Sequence, residues 1–330
     1  MRQSSLANQI FSELSDYLLT SDGARIGTGI WVDSGEIAGF RTRGDVLGLM
    51  LPITEEEWKK FKTDRKSPAI HLTRVLEETS EGTPRPFVQL SLLEPFHQKV
   101  FFIFVDELLV ELRRRPTGAA EKTALMLQRW RRFFSTKASS DTFGREKQIG
   151  LLCELEVLTG LLEEYGPEAI SRWTGPESLP HDFELPAESL ECKATTSANG
   201  IHIGIHGANQ LTETTGKSLR LVVRRYTPNP DGQLSVPDLC GKLQNDYAIP
   251  AEEFLDKLNK IGCPVFHPES ETEFFRFDAE LVLEFVVSED FPRIQNHSLD
   301  SRISNLQYTL DLTGPELIPG FQASNKYIRE

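Results

Sequence analysis

Apolar positions along the chain change period several times, and the changes divide it into segments. Residues 1–115 read as a strand-rich lobe behind a short first helix. "ARIGTGIWVD", "EIAGFRTR", "DVLGLMLPI" and "KVFFIFVDELLVEL" are short apolar runs broken by Gly and Pro, and "TEEEWKKFK" is a helix. "RRRPTGAA" at 113–120 marks a boundary, followed by a helix over 119–134. Residues 116–226 read as helix, strands, helix, strand. The long helix is "REKQIGLLCELEVLTGLLEEYG", stopped by Gly166-Pro167. The strands are "ISRW", "HDFEL", "SLECKAT", "IHIGIH" and "LRLVVRRY", with "GANQLTET" a short helix before the last. Residues 227–330 form an α+β extension, with a helix around 250–261 and strands in "FFRFDAELVLEFVV" and "LQYTLDL".

Two details of this pattern carry chemistry. In "HDFELPAESLECKAT", a side-chain period of two puts His181, Phe183, Leu185, Leu190, Cys192 and Ala194 on one face. Asp182, Glu184, Glu191 and Lys193 take the other. A turn over Pro186–Ser189 would set Leu185 opposite Leu190 and Asp182 opposite Lys193. In the long helix, Val157, Leu161, Leu158, Leu151, Leu162, Leu155 and Leu152 sweep an apolar arc of roughly 220° at 100° per residue. Glu154 falls inside it; Glu156, Glu163 and Glu164 lie outside. A lone carboxylate in a buried stripe is costly unless paired or metal-bound, so Glu154 needs an internal partner.

Composition narrows the class. At 39% hydrophobic and 26% charged residues the chain reads as a globular protein. No apolar run approaches the ~18 residues a membrane span needs, and the N-terminal segment is amphipathic and acidic, so no membrane role and a cytoplasmic location are expected. The four cysteines (153, 192, 240, 263) form no CxxC pair and read as reduced core residues. Without a GxxxxGK loop, the chain itself is not expected to hydrolyse ATP.

The net charge of −13 hides a segregation. Arg113–Lys147 holds ten basic and three acidic residues, whereas Gln148–Cys192 holds ten acidic residues and only Arg172 on the basic side. A basic stretch leading into a carboxylate-rich one suits a protein that grips a polyanion and holds a divalent cation against it. The alternative is that "RWRRFF" is a solvated helix face with Trp130, Phe133 and Phe134 turned inward. Both readings stay open. His202 and His206 lack a third ligand nearby and read as exposed strand residues.

Carboxylates and a lysine on one sheet edge serve phosphodiester cleavage. Asp182 and Glu191 are hard oxygen ligands for Mg²⁺, Lys193 orients or deprotonates the attacking water, and Glu154 positions Lys193 or completes the metal shell. The [DE]xK tripeptide occurs three times, as Glu57-Trp-Lys59, Asp64-Arg-Lys66 and Glu191-Cys-Lys193. Only the last lies in a strand pattern, with an acid upstream on the same face and a preceding helix bearing a buried Glu. A plain salt-bridge ladder is the rival reading, and it leaves Glu154 unexplained.

On "GLLCEL", "LPHDF" and "LECKAT", residues 146–226 resemble the core of the PD-(D/E)XK nuclease superfamily. The fold this implies is α/β: a restriction-endonuclease-like core (helix, three strands, helix, strand) around a mixed central sheet. The strand-rich lobe would precede it and the α+β extension would pack on it. By the resemblance, Asp182, Glu191 and Glu154 are metal ligands for Mg²⁺, with Mn²⁺ able to substitute, and Lys193 is the catalytic lysine. Gln210 matches a glutamine that opens the next helix. His181 separates Pro180 from Asp182, a departure from the usual adjacency. The whole chain resembles a branch found in bacterial phage-defence clusters beside methyltransferase and ATPase genes. The expected function is therefore a Mg²⁺-dependent DNA endonuclease, homodimeric because two strands need two sites. The expected partners are DNA and methyltransferase and ATPase/helicase components. A non-cutting DNA-binding or scaffold subunit is the alternative, and RNA as substrate stays open.

Overall fold

The computed structural model describes residues 5–17, 23–78, 83–134, 143–266, 272–295, 299–300, 302–323 and 325–328. The first residues of the acidic N-terminal segment and positions 135–142 of the basic stretch lie outside these. The chain divides into two compact units, Met1–Ala138 with Phe266–Ser270, and Ser139–Val265 with Glu271–Glu330.

The first unit runs α1 (Leu6–Asp16), β1 (Ala24–Val32), β2 (Gly35–Arg41), β3 (Leu47–Pro52), α2 (Glu55–Lys60), β4 (Ile70–Glu78), β5 (Pro84–Leu92), α3 (Gln98–Arg114) and α4 (Ala119–Trp130). Its antiparallel sheet has the order β1-β2-β3-β5-β4. The apolar run expected as the last strand of this lobe is instead the helix α3. Its buried residues Val100, Phe101, Phe104, Val105, Leu108, Leu109 and Leu112 recur with the helical period. The expected "TEEEWKKFK" helix forms, with a reciprocal capping box between Thr54 and Glu57. In α4 and the 3₁₀ turn after it, Trp130, Phe133 and Phe134 are buried, with Trp130 against Phe104. Arg129 and Arg132 face outward. This is the solvated-face arrangement.

The second unit runs α5 (Arg145–Tyr165), β6 (Phe183–Glu184), β7 (Glu188–Thr195), β8 (His202–His206), β9 (Ser218–Pro228), α6 (Val236–Asp246), α7 (Ala251–Lys260), β10 (Phe277–Val287), β11 (Gln307–Asp311) and β12 (Phe321–Gln322). Its central sheet has the order β12-β10-β9-β7-β6 and is mixed, because β7 and β9 run parallel. It is thus an α/β unit with the expected helix and mixed sheet, with three local differences. "ISRW" is a 3₁₀ stretch rather than a strand. The helix expected at "GANQLTET" is one 3₁₀ turn, Ala208–Leu211. The third strand, β8, leaves the central sheet to pair with β11 as a separate ribbon.

Paired residues in a sheet share a face, so the register defines two surfaces. On one, Arg224 and Tyr226 of β9 both meet Glu156 of α5, Arg224 at 3.4 Å. Glu284, paired with Val222, lies on that same face. Its Oε1 accepts the backbone N–H groups of Lys326 (2.6 Å) and Tyr327 (3.1 Å), fastening the segment 325–328 there. The carbonyl of Tyr327 sits so close over Gly160 that any side chain on α5 at that point would collide with it. The opposite face carries Glu191 beside Leu221 and Lys193 beside Val223. Ile203, Ile205, Tyr308 and Leu310 of the β8–β11 ribbon pack on the apolar part of that face.

Candidate active site

Four charged groups from three segments of the chain meet where α5 passes the entry of β6 and β7. The leucine-lined stripe of α5 is buried as expected, and Glu154 points from it to Trp173, whose Nε1 donates to Oε2 at 2.6 Å. The N–H groups of Thr174 and Gly175 donate to the Asp182 carbonyl at 2.7 and 3.0 Å, drawing the 174–175 loop against the strand entry. Asp182 Oδ2 accepts the Cys192 N–H at 2.7 Å, which fixes its carboxylate against β7. Glu191, only 1% exposed, accepts from Lys193 Nζ at 2.6 Å. A methyl group built on Gly175 would lie 2.9 Å from Asp182 Oδ1 and 2.9 Å from Glu154 Oε2. The glycine thus floors a notch edged by two carboxylate oxygens.

The hairpin that brings Asp182 to Glu191 is tighter than expected. Phe183 pairs with Leu190 and Glu184 with Ser189, and Leu185 N–H closes on Glu188 O at 2.9 Å across Pro186-Ala187. The register is two residues shorter than the Leu185–Leu190 pairing, because a two-residue turn suffices. A shift of two keeps every side chain on its expected face.

The remaining candidates have other partners. Gln210 Oε1 accepts the His206 N–H at 2.8 Å, tying the 3₁₀ turn back to the end of β8. Glu184 is bound by Lys217 (2.5 Å), Ser189 (2.9 Å) and His181 (3.1 Å). His181 is a buried, hydrogen-bonded core residue, and His202 and His206 are exposed. All four cysteines are free and buried. Trp173 and Gly175, which complete the site, escaped the sequence reading. Their segment has no period, and only the Gly-Pro turn in "WTGP" marks it.

Electrostatics set the site's character. Burial, reinforced by the charge of Asp182, pushes the Glu154 carboxyl up to about 8. Burial also raises Asp182, against the pull of Lys193 and the Cys192 N–H. It raises Glu191 well above the ordinary carboxylate range, with Asp182 adding to the effect. For Lys193, burial opposes the charge, but Glu191 and Asp182 outweigh it and hold the ammonium above its ordinary pKa. Three acids thus face one cation.

Among the described residues no three His, Cys, Asp or Glu side chains are grouped closely enough to hold a metal by themselves. The Gly175 notch offers two hard oxygens, and Mg²⁺ characteristically takes one or two carboxylates, with water and phosphate completing its shell. The donor chemistry and the notch fit such an ion.

Two predictions follow from the notch and its charge. Gly175 has no left-handed backbone requirement, so Gly175→Ala should fold while its methyl fills the notch. Its Mg²⁺ affinity should fall about 10–100-fold, read by calorimetry beside a far-UV circular dichroism spectrum like that of the wild type. The two carboxylates must move aside for the methyl, so a lowered melting temperature is expected. The second concerns pH in EDTA. A carboxyl raised from 4.5 to about 8 gives stability that is complete below 4.5 and lost as pH climbs through 8. Glu154→Gln keeps an acceptor for Trp173 and cannot ionise. Its melting temperature relative to wild type should therefore rise between pH 5 and 8.5; a flat difference would show that Glu154 bears no such strain.

A family model described as "Putative PD-(D/E)XK family member, (DUF4420)" matches residues 37–313, more than four-fifths of the chain. No curated protein and no solved structure matches. Among the described residues, no helix is long and apolar enough to cross a membrane.

Proposed function

The chain belongs to this PD-(D/E)XK family, and on that premise we propose that it is a Mg²⁺-dependent endonuclease that hydrolyses phosphodiester bonds in DNA. One observation carries the reading: Glu154 of α5, Asp182 at the entry of β6, and Glu191 and Lys193 of β7 share one largely buried cluster beside the Gly175 notch. Asp182 and Glu154, the two carboxylates at the notch, would hold the cation, with Glu191 able to join them only by giving up its bond to Lys193. The ion when bound supplies Lewis acidity at a phosphoryl oxygen and acidifies a water.

Lys193 then has a defined part. Its pKa is held up, so at neutral pH it is an ammonium that orients the attacking water and offsets charge on the phosphate; it does not take a proton. Trp173 holds Glu154 in place through its indole N–H. The Cys192 N–H does the same for Asp182. Two strands require two sites, which supports a homodimer. The role in phage defence, with methyltransferase and ATPase/helicase partners, is supported by the sequence resemblance.

A second reading, a non-cutting DNA-binding or scaffold subunit, draws on the engagement of Glu191 by Lys193 and the lack of a three-ligand group among the described residues. The deciding experiment incubates the purified protein with plasmid and phage DNA, with and without Mg²⁺, using a Lys193 variant as control. Nicked or linear product that needs both the metal and Lys193 supports the nuclease. Intact DNA, with no calorimetric binding of Mg²⁺ or Mn²⁺, supports the scaffold.

A further inference from the structure

Strand β11 lies outside the core segment that carries the acids and the lysine, yet it delivers a polar group to the same sheet face. Lys193 stands beside Val223, and Val223 belongs to the apolar cluster on which the ring of Tyr308 packs. The pairing Tyr308–Ile205 fixes the ring inward, while Gln307 and Thr309 face outward. The Tyr308 hydroxyl accepts the Ile294 N–H at 3.4 Å, and among the described residues its own hydrogen meets no acceptor.

Its charged neighbours are cations. Next to Ile294 in the chain, the Arg293 side chain is 7% exposed and clamped by Glu213 at 2.6 and 3.1 Å and by the Leu211 carbonyl. Its Nε is buried without a partner. The charges of Arg293 and of Lys193 both act on the phenol. Burial is the larger influence and keeps the phenol's pKa above its usual value, so the O–H stays a donor at neutral pH. A donor with no acceptor among the described residues, under the charges of an ammonium and a guanidinium, is complementary to an anion.

We propose that Tyr308 is a substrate-contacting residue whose hydroxyl donates to a phosphate oxygen of the DNA strand held beside Lys193. This rests on the nuclease reading of the site and extends it to a residue from the C-terminal extension. The contact reads backbone rather than sequence, so it serves every target equally.

The test is Tyr308→Phe, which keeps the ring in its apolar seat. Two quantities are measured: cleavage of plasmid in Mg²⁺, and affinity for a fluorescein-labelled duplex in EDTA. The expected result is about a tenfold loss in both kcat/KM and affinity, with an unchanged melting temperature. Because the lost group is neutral, the salt dependence of binding should keep its slope; a shallower slope would mean that a cation had been disturbed instead, and would overturn the assignment. Wild-type affinity and cleavage in Tyr308→Phe would overturn it as well. Failure of the wild-type protein to cleave at all would overturn the nuclease reading, while the duplex affinities still decide whether Tyr308 touches DNA.

Discussion

Replacing Lys193 by alanine is expected to reduce metal-dependent DNA cleavage about 10³-fold or more under single-turnover conditions. The ammonium lies among three buried carboxylates, held 2.6 Å from Glu191. In its absence the three acids lose the ammonium that would offset negative charge on an attacked phosphoryl group. The acids have their own role, so Asp182→Asn and Glu191→Gln should lose activity to a similar extent. Asp182→Asn removes a buried charge that burial already disfavours and should be at least as stable as wild type. Glu191→Gln also takes a counter-charge from Lys193 and should fold with a modest loss of stability. Inactivity of Asp182→Asn with undiminished thermal stability separates a chemical role from a structural one. A Lys193→Ala variant that cuts at the wild-type rate would remove this mechanism.

The second large effect is on stability. Glu284→Ala should destabilise the second unit by about 3–5 kcal/mol in chemical denaturation. Glu284 is fully buried, accepts two backbone N–H groups from residues 326 and 327, and pairs with Arg220 at 3.3 Å. Arg220 also reaches Glu188 at 3.1 Å, and Glu188 binds Lys326 at 2.7 Å and the Tyr327 hydroxyl. Truncating Glu284 therefore strands two donors and frees Tyr327 and Ile328 from the sheet. Glu284→Gln keeps an acceptor and should cost about 1–2 kcal/mol. Equal losses in the two variants would mean that the carboxylate is not what fastens the segment.

Residues whose role follows from a period were legible; residues placed by backbone geometry were not. The stripe of α5 announced both the helix and the anomaly at Glu154. Alternation in "SLECKAT" announced β7 and its charged face, and a two-residue change of register left that face intact. The run "FFIFV" misled because aromatic and β-branched residues favour strands locally, while burial in α3 obeys a longer period extending to Leu112. β4 and β5 went unread because Arg74, Glu77 and Glu78 break up β4 and two prolines open β5. Gln210 was expected to open a helix, and the chain affords only a 3₁₀ turn there. Trp173 and Gly175 are set by carbonyl contacts of an irregular loop, which leave no pattern. Tyr308 comes to the sheet face that carries Lys193 only because β8 leaves the central sheet to pair with β11.

Order of synthesis gives the late position of these covers a biological meaning. A nascent chain that has emerged from the ribosome as far as residue 300 already displays all four active-site side chains. It still lacks both the ribbon strand and the tail that Glu284 fastens, so its sheet is bare on parts of both sides. If the proposed nuclease reading holds and these covers steady the cluster, a chain ending at residue 300 is expected to cleave less than the released protein. Ribosome-stalled chains ending at residue 300, assayed against plasmid beside the released protein, would show the difference.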